Sequence, residues 1–421
     1  MKILHVSHNY FPVVGGAEVM IQRLSEGLAK RGHVVTVLTS NAPSNEAYVN
    51  AAIKPLPAGE ETINGVLVRR LPIFQLPTPL RTAFSALMLA TWRTRFPGND
   101  LLRILWTGPY IPSLRREMLL TPADLLAVLP FPFLHVYQAA RVARRRCLPL
   151  VVVPCTHPLD AWAFDNPSHY RLLRRAQVVI ANTSYEKDFL VAKGVPGEQV
   201  HVVGEGIDPR QFNRVAPGDF RARHGIGPQA PMVLFVGRKA EGKGLELLLG
   251  AMRQVWQAEP AAWLVLAGSS SDFFRQHIEP EIARLPEEMR RRLVNLNDFP
   301  EAEKDALYTD CDVLVLPSRV ESFGIVFLEA WACGQPVIGC RTGPVASVVS
   351  DGVDGLLVPY GEETALAGAI LHLLGDADLR HRLGQAGREK VLRQYTWPQI
   401  VSRVEEVYRS LVGPHIPPAQ V

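Results

Sequence analysis

Short apolar runs alternate with amphipathic segments along most of the chain. A run such as MVLFV at 232–236 is typical of a buried strand, and the longer segments repeat apolar residues at helical spacing. Because the runs are continuous rather than alternating, they indicate strands covered on both faces, as in parallel sheets. The pattern predicts strands at 2–7, 33–39, 66–71, 148–154, 177–181, 200–203, 232–236, 263–267, 294–296, 313–316, 337–340 and 355–358.

Helical segments follow most of the predicted strands. Residues 41–64 have no helical or strand periodicity and are predicted to form a loop, and 72–132 is rich in proline with no strand assigned. The spacing of apolar residues predicts helices at 19–30, 80–93, 110–119, 134–146, 168–175, 184–193, 244–257, 273–284, 286–292, 301–308, 324–333, 362–373, 377–394 and 397–411.

The alternation of strands and helices predicts an α/β chain with two doubly wound, mostly parallel sheets. Residues 209–230, rich in glycine, proline and charge, are predicted to link a domain at 1–208 to a domain at 231–396. In such sheets ligands bind outside the carboxyl ends of the strands. Two domains joined by one linker are expected to place these edges face to face, with the site in the cleft between them.

Charge is distributed unevenly along the 421 residues. The net charge of +4 combines 22 basic and 15 acidic residues in 1–208 with 23 and 26 in the remainder, so +7 against −3. The excess is explained either by a solvated surface or by a face that meets an anionic partner such as lipid headgroups or an acidic glycan. Nucleic acid is not expected, because no stacking-aromatic motif accompanies the basic residues. The clustered arginines are Arg69, Arg70, Arg81, Arg93, Arg95, Arg103, Arg115, Arg116, Arg141, Arg144, Arg145 and Arg146.

Cysteine usage and hydropathy indicate an intracellular protein. The five cysteines show no metal-binding spacing and are expected to be reduced packing residues of a cytosolic protein. The first apolar run is too short for a signal peptide, and no run reaches the roughly 18 apolar residues of a spanning helix.

Two loops offer sites for an anion. Gly15 and Gly16 separate the first strand from the first helix, where a backbone can approach a phosphate or simply make a turn. The loop GRKAEGKG carries Arg238 and Lys243 at its two ends. Two cations at a junction between strand and helix suit a diphosphate, although solvent-exposed basic residues are the alternative.

Two glutamates bracket the start of a helix between two apolar strands. Glu321 lies in the loop VESFG, and Glu329 lies seven residues further inside an apolar helix. A pair for glycoside hydrolysis is disfavoured because that helix would bury Glu329 away from water. Binding sugar or ribose hydroxyl groups is a better use, and the alternatives are a helix cap for Glu321 and a buried salt bridge for Glu329. Backbone N–H groups near 323–326 would face a phosphate.

His157 follows a predicted strand of the first domain and is expected to point into the cleft. A structural histidine and an active-site histidine are equally compatible with that position. No Ser/His/Asp order and no pair of metal-binding aspartates is evident.

Taken together, these pieces resemble glycosyltransferase family 4, retaining enzymes of the GT-B fold, over nearly the whole chain. Residues 40–150, which normally hold acceptor contacts, match poorly. Serine at 347 replaces a usual glutamate, and Glu205 replaces a common asparagine. The matching segments are FPVVGGAE, the strand-end His157, VGEGID at 203–208, VGRKAEGKG at 236–244, ALYTDCDVLVLPSRVESFGIVFLEAWACGQPVI at 306–338 and DGVDGLLVP at 351–359.

The resemblance implies a fold of two Rossmann-like domains facing each other across a cleft, with the helix at 397–412 packing back on the first domain. It also implies a nucleoside diphosphate sugar as donor, a UDP- or GDP-sugar, and no divalent metal. The first domain would bind the acceptor and the second the donor, with the base near 297–299.

The resemblance assigns a role to each candidate residue. Glu321 would bind sugar hydroxyls, Glu329 the ribose, and His157 the sugar near its C6 hydroxyl and reacting face. The other candidates would surround the diphosphate, and they are Gly15, Gly16, Arg238, Lys243, Ser322, Phe323, Gly324 and Ile325.

The sequence therefore predicts a retaining glycosyltransferase that acts on a lipid-linked or polysaccharide acceptor in cell-envelope, exopolysaccharide or glycolipid synthesis. The alternatives are a synthase or phosphorylase with a small soluble sugar acceptor, a non-catalytic nucleotide-sugar-binding protein, and an epimerase on the same fold. A cytoplasmic location is expected, with peripheral contact at the inner face of an anionic membrane through the arginines of 69–146 and Phe131, Phe133 and Leu134.

Overall fold

The computed structural model describes residues 1–94, 96, 98–158, 160–212, 218–297, 299 and 303–413. Arg95, the linker residues 213–217, Asp298 in the predicted base region and the start of the helix predicted at 301 lie outside these residues. The chain divides into two units, which are Met1–Gly204 with Ile400–Val421, and Glu205–Gln399.

The first unit is built on one sheet. In its described part the strands lie in the order β3-β4-β2-β1-β5-β6-β7-β8, parallel except for β3, which pairs antiparallel with β4. The strands are β1 Lys2–Ser7, β2 Val34–Ser40, β3 Gly59–Ile63, β4 Val66–Leu71, β5 Leu125–Leu129, β6 Leu150–Val152, β7 Val178–Ala181 and β8 Val200–Val202.

Helices connect these strands and cover the sheet. Those of the first unit are α1 Gly16–Lys30, α2 Thr78–Arg93, α3 Asn99–Thr107, α4 Leu114–Leu120, α5 Leu134–Arg146, α6 Ala161–Phe164, α7 Pro167–Leu173 and α8 Ser184–Ala192.

Two strands and two helices of the first unit are absent from the sequence prediction. Strand β5 is fully buried between β1 and β6, in the proline-rich region where no strand is expected from the sequence. Its apolar run continues past the strand into PFPF, so the run length hides the strand's end. Strand β3, GEETI, lies in the predicted loop; it is an edge strand with mostly exposed residues, and it therefore shows no apolar alternation. The helices that the sequence does not predict are α3 and the short α6.

The second unit holds another parallel sheet. In its described part the strands lie in the order β11-β10-β9-β12-β13-β14. They are β9 Met232–Val236, β10 Trp263–Ala267, β11 Leu293–Leu296, β12 Val313–Leu316, β13 Val337–Cys340 and β14 Gly355–Val358. Its helices are α9 Asp219–Arg223, α10 Leu245–Ala258, α11 Glu279–Ala283, α12 Glu287–Arg290, α13 Lys304–Asp310, α14 Ile325–Ala332, α15 Gly343–Val348, α16 Glu363–Gly375 and α17 Ala377–Gln394.

Helix α14 is held deep in the second unit by close packing against α17. It is apolar on nearly every side, which is typical of a buried helix. At Gly387 a Cβ atom would lie only 2.0 Å from the Trp331 ring, so only glycine allows α17 this close. The Trp331 indole also donates a hydrogen bond to the carbonyl of Asp354. This packing fixes the position of the residues at the start of α14.

The last helix, α18 Trp397–Val412, contributes its residues from Ile400 onward to the first unit. Val401 packs against Gly27 of α1, and the Tyr408 hydroxyl lies 3.1 Å from Nε2 of the buried His5. Among the described residues, no helix is both long and apolar enough to cross a membrane.

Glu405 anchors α18 through three cationic or imidazole partners. Its carboxylate accepts hydrogen bonds from Arg31 at 2.7 Å, His33 at 2.8 Å and Arg409 at 2.6 Å. Burial alone would raise the pKa of Glu405, but the hydrogen bonds from these three side chains outweigh burial and lower it to about 2. The ionised form is therefore favoured in the folded chain.

Replacing Glu405 with glutamine is expected to lower the free energy of unfolding by about 2–3 kcal/mol at pH 7. Because the folded pKa lies below the ordinary value of 4.5, this contribution is complete above pH 4.5 and is lost as the pH falls toward 2. Urea unfolding at several pH values measures it. The exposed neighbour Glu406, replaced in the same way, is the control. A difference between wild type and E405Q that stayed constant down to pH 3 would contradict the assignment.

Candidate active site

The carboxyl edge of the second sheet brings together two of the predicted loops. Strands β9 and β12 are parallel neighbours, so the loops that follow them leave the sheet at the same edge. The Lys243 ammonium lies 2.8 Å from a carboxylate oxygen of Glu321, although the two residues are 78 positions apart in sequence. Both side chains are partly exposed, so this ion pair is open to a ligand.

Backbone contacts hold these two loops against each other. The carbonyl of Gly242 accepts hydrogen bonds from the N–H groups of Arg319 at 2.8 Å and Val320 at 3.2 Å. Gly244 has a φ of +74°, and a Cβ atom there would lie 2.0 Å from the carbonyl oxygen of Pro317. Glycine is therefore required at 244 both for its conformation and for the close approach.

Arg238 and its neighbour Lys239 have opposite environments. Arg238 is exposed, pairs with no side chain within the described part of the chain, and is free to bind a ligand. Lys239 is fully buried, and its ammonium donates to Asn295 at 2.5 Å and Asn297 at 2.6 Å while lying over the Phe274 ring. Lys239 therefore ties the loop to the end of β11. It is not among the predicted site residues, because the sequence does not reveal which of two adjacent cations points inward.

The N-terminus of α14 lies directly after Glu321. Gly324 precedes the helix with a φ of +88°, and no side chain caps the helix. Ser322 is partly exposed, whereas the Phe323 side chain is buried against Tyr395. At Phe323 the backbone N–H group, and not the side chain, could therefore meet a ligand. The first N–H groups of a helix have no intrahelical partner. The cap predicted as an alternative role for Glu321 is absent.

Glu329 is buried within α14 and has two partners from α13. The Tyr308 hydroxyl donates to one carboxylate oxygen at 2.5 Å, and the Lys304 ammonium lies 3.2 Å from the other. Burial, reinforced by the charge of Glu329, raises the pKa of Tyr308 well above its ordinary value, so the phenol keeps its proton. The buried ion pair considered as an alternative is thus present. A carboxylate accepts about four hydrogen bonds, so capacity for ribose hydroxyls remains.

In the first unit, Gly15 and Gly16 lie at the start of α1. Gly15 is extended, and the Glu18 carboxylate packs so closely that a Cβ on Gly15 would lie 2.4 Å from it. A Cβ on Gly16 would have no atom of the described residues within 4 Å. His8, at the end of β1, lies 3.0 Å from Glu18 and stacks on Phe133. Burial acts to raise the pKa of Glu18. The interactions with His8, together with hydrogen bonds from the Glu18 backbone and Asn9, outweigh burial and hold that pKa below its ordinary value.

His157 lies five residues beyond β6, in a loop of the first unit. Its ring is partly exposed and packs at 5.3 Å from the Phe164 ring. The strand predicted at 148–154 is shorter than expected, Leu150–Val152, so the histidine belongs to a longer loop. The structure thus places His157 and Gly16 in the first unit, and the lysine–glutamate pair in the second.

An aromatic cavity of about 280 Å³ lies at the same end of the first sheet, beyond the carboxyl ends of β4 and β5. It contains one cationic side chain, Arg81, which also donates to the carbonyl of Val49. Its aromatic walls are Tyr48, Phe74, Trp106, Tyr110, Phe133 and Trp162. Aromatic walls of this kind bind apolar groups and the apolar faces of sugar rings.

The predicted base region is partly described. Asn297 follows β11 and accepts hydrogen bonds from Lys239 and Ser270, while Asp298 is outside the described residues. Within the described residues, no group of three or more His, Cys, Asp or Glu side chains is arranged to hold a metal ion.

Comparison with known proteins identifies the family of the chain. The family model described as "Glycosyl transferases group 1" matches residues 218–390, and "Glycosyl transferase 4-like domain" matches 15–206. A D-inositol 3-phosphate glycosyltransferase of Corynebacterium urealyticum is 30% identical, covering 98% of this chain and 96% of that protein. The N-acetyl-alpha-D-glucosaminyl L-malate synthase of Bacillus anthracis is 25% identical, with 96% of each chain covered.

A solved structure gives the same fold. HepE of Anabaena in complex with UDP superposes with a TM-score of 0.71 at 19% identity, over 98% of this chain and 100% of that chain. Both halves of the chain thus match glycosyltransferase families, and the whole chain matches a GT-B structure. The chain belongs to the glycosyltransferases of group 1, the family 4 type, and it has the GT-B fold.

Proposed function

We propose that this glycosyltransferase moves a sugar, with retention of configuration, from a UDP- or GDP-sugar to a lipid-linked or polysaccharide acceptor. The observation that carries the proposal is the pairing of Lys243 with Glu321 beside the uncapped N-terminus of α14. A cation and helix N–H groups suit a diphosphate, and a carboxylate next to them suits the hydroxyls of the attached sugar.

The proposed donor site uses each part of that edge differently. Arg238 and Lys243 bind the diphosphate, with backbone N–H groups at Ser322, Phe323, Gly324 and Ile325 around it. Glu321 accepts hydrogen bonds from sugar hydroxyls, and Glu329 accepts them from the ribose. The UDP bound to HepE supports a uridine donor, and the loop at Asn297 is the proposed contact for the base.

The proposed reaction requires no nucleophile from the protein. The bond between the sugar's anomeric carbon and the diphosphate oxygen breaks, and the acceptor oxygen bonds to that carbon on the same face. The acceptor proton passes to the leaving diphosphate oxygen. Arg238 and Lys243 stabilise the charge that develops on the diphosphate, which is the electrostatic contribution expected of preorganised cations.

In the first unit, the open space beside Gly16 is the proposed approach for the donor phosphate, and His157 is proposed to contact the sugar. The aromatic cavity is the proposed acceptor site. Its six aromatic walls and single arginine favour an acceptor with an apolar or stacking face over a small polyanion. This supports a glycan or lipid-linked acceptor. The proposed location of the reaction is the cytoplasm, at the inner face of a membrane.

A small soluble acceptor is the alternative that a specific finding favours. The names of the relatives given above describe transfer to inositol phosphate and to malate. Under this alternative the same donor site would serve, and turnover would occur with a soluble acceptor and without lipid.

A panel of nucleotide sugars tests the proposal. One UDP- or GDP-sugar is expected to stabilise the protein by about 2.7 kcal/mol at 100 times its Kd and to be hydrolysed slowly. In the first turnover, NMR should detect release of the sugar with its original anomeric configuration. Inverted product would contradict retention, and stabilisation with neither hydrolysis nor transfer to any acceptor would indicate a binding protein.

A further inference from the structure

Helices α2 and α3 expose an unusual amount of apolar side chain. The described residues include seventeen large apolar side chains that are exposed to solvent. Eight of them lie between residues 74 and 120, and the other nine are scattered along the chain. Single exposed leucines need no explanation, whereas a concentration of them marks a binding surface. The eight residues are Phe74, Leu80, Leu87, Leu89, Phe96, Leu101, Leu105 and Leu120.

A typical surface helix buries its apolar residues, whereas α2 leaves most of them exposed. Only Met88 is buried among its sixteen residues, and the helix contains no acidic residue. Leu80 and Leu87 are two turns apart and so share one face, and Leu101 and Leu105 are one turn apart on α3. An apolar helix is normally buried in a core or in lipid, so these faces are expected to be covered in use.

Basic residues without acidic partners surround this surface. Residues 71–116 contain six arginines and a single acidic residue, Asp100. Arg103 is buried and serves the fold, because it stacks over Trp92 and donates to backbone carbonyls. Arg93, Arg115 and Arg116 are exposed, and the described residues offer them no ion-pair partner.

A second cavity, of about 450 Å³, opens beside the exposed face of α3. It lies between α3, α5 and α7, and Leu101 belongs to both the cavity and the exposed face. Leu148 and Leu172 form apolar walls, while Arg141, Arg144 and Arg175 line it and have no ion-pair partner within the described chain. Leu150 and Gln177, at the starts of β6 and β7, also line it, so the cavity is at the opposite end of the sheet from the aromatic cavity.

We propose that the outer faces of α2 and α3 dock on the surface of a bilayer, and that the arginine-lined cavity takes the phosphate headgroup of an anionic phospholipid. The apolar faces enter the interface, and the arginines bind the negative surface. Charge complementarity is the reason to choose an anionic bilayer. The apolar surface has few acidic residues, Asp100 and Glu117 are both paired with arginines, and unpaired arginines border it. The link to a membrane acceptor rests on the proposed function.

The docking surface overlaps only in part with the residues predicted from the sequence, because it keeps several of the predicted arginines and adds the apolar faces of α2 and α3. Phe131 is buried in the core of the first unit, and Arg69 and Arg70 pair with Glu60 and Glu61, so none of these is available. The α2–α3 surface instead adjoins the proposed acceptor site. Arg81 on α2 and Trp106 on α3 line the aromatic cavity, so a lipid-linked acceptor would reach it along the docked helices.

Sedimentation of the full chain with vesicles tests this inference without donor or acceptor. Wild type is expected to sediment with vesicles of phosphatidylcholine and phosphatidylglycerol and to bind pure phosphatidylcholine at least about tenfold more weakly, with the difference reduced by salt. The double variant Leu87→Glu, Leu101→Glu is expected to bind about tenfold less, with slow donor hydrolysis unchanged. The double variant Val353→Glu, Leu392→Glu introduces the same charge at exposed apolar positions of the second unit and should bind like wild type.

The arginines are tested separately. Arg141→Gln with Arg144→Gln should reduce binding to phosphatidylglycerol vesicles, and Arg382→Gln with Arg393→Gln is the control of equal charge. Absent binding by wild type, equal binding by the leucine variant, or concentration-dependent dimers that mask the surface would each overturn the inference. Transfer activity without vesicle binding would contradict only the docking surface, and vesicle binding without transfer would contradict only the proposed function.

Discussion

Lys243→Ala is expected to reduce sugar transfer by about 10²–10³-fold at saturating donor while leaving the fold intact. Under the proposed mechanism its ammonium stabilises the charge that grows on the leaving diphosphate, so the loss should fall on kcat as well as on donor binding. The side chain is only partly buried and its ion-pair partner within the described residues is Glu321, so the loss of stability should be small.

A loss of activity in Lys243→Ala has a second explanation, an indirect effect through Glu321, which must be distinguished from direct binding of the diphosphate. Because Lys243 lies 2.8 Å from Glu321, it could act only by holding that carboxylate in place. A cycle with Glu321→Gln distinguishes the two roles. If Lys243 only positions Glu321, the double variant will be no worse than Glu321→Gln alone. Separate contacts, with the diphosphate and with the sugar hydroxyls, predict a further loss in the double variant.

Rates of transfer and of slow donor hydrolysis, measured for all four proteins, complete the cycle. Lys54→Ala removes an exposed lysine of the first unit and is the matched control. Near-full rates in both single variants with the correct donor would show that the site assignment is wrong.

Much of the fold is predictable because buried parallel strands are short apolar runs that flanking helices set apart. In the second unit every strand of the described chain lies at or within one residue of its predicted position, as with β9 and β12. The failures have physical causes. Strand β3 is stabilised by pairing at an edge rather than by burial, and β5 lies in an apolar stretch whose length fits several structures.

The site is predictable where neighbouring strands bring loops together. The parallel pairing of β9 and β12 explains why a lysine and a glutamate 78 residues apart form an ion pair. Side-chain partners supplied by helices are harder to predict from sequence. Tyr308 and Lys304 lie one turn apart on α13, and both contact Glu329. Their spacing on one helix face is the feature of the sequence from which these partners of Glu329 could have been predicted. The pairing of His8 with Glu18 carries no comparable signal.

Glu329→Gln is expected to weaken donor binding by about 10–100-fold, in the range of hydrogen bonds to a charged group. Glutamine keeps an oxygen that can accept from Tyr308, so the buried phenol stays satisfied and the fold should survive. Lys304 loses its ion pair with Glu329, but its side chain is partly exposed, so water can solvate its charge. The expected loss therefore reports on the ligand rather than on the core.

The decisive measurement compares UDP with its 2′-deoxy and 3′-deoxy analogues by calorimetry. If Glu329 binds the ribose, wild type will bind at least one analogue about tenfold more weakly than UDP, and E329Q will lose that discrimination. Tyr308→Phe removes a partner of Glu329 but leaves its carboxylate, so it should lose stability and keep discrimination. Equal discrimination in wild type and E329Q would show that Glu329 serves only as a structural ion pair. The substitution of Glu329 and the removal of a ribose hydroxyl are expected to be non-additive only if the carboxylate contacts that hydroxyl directly.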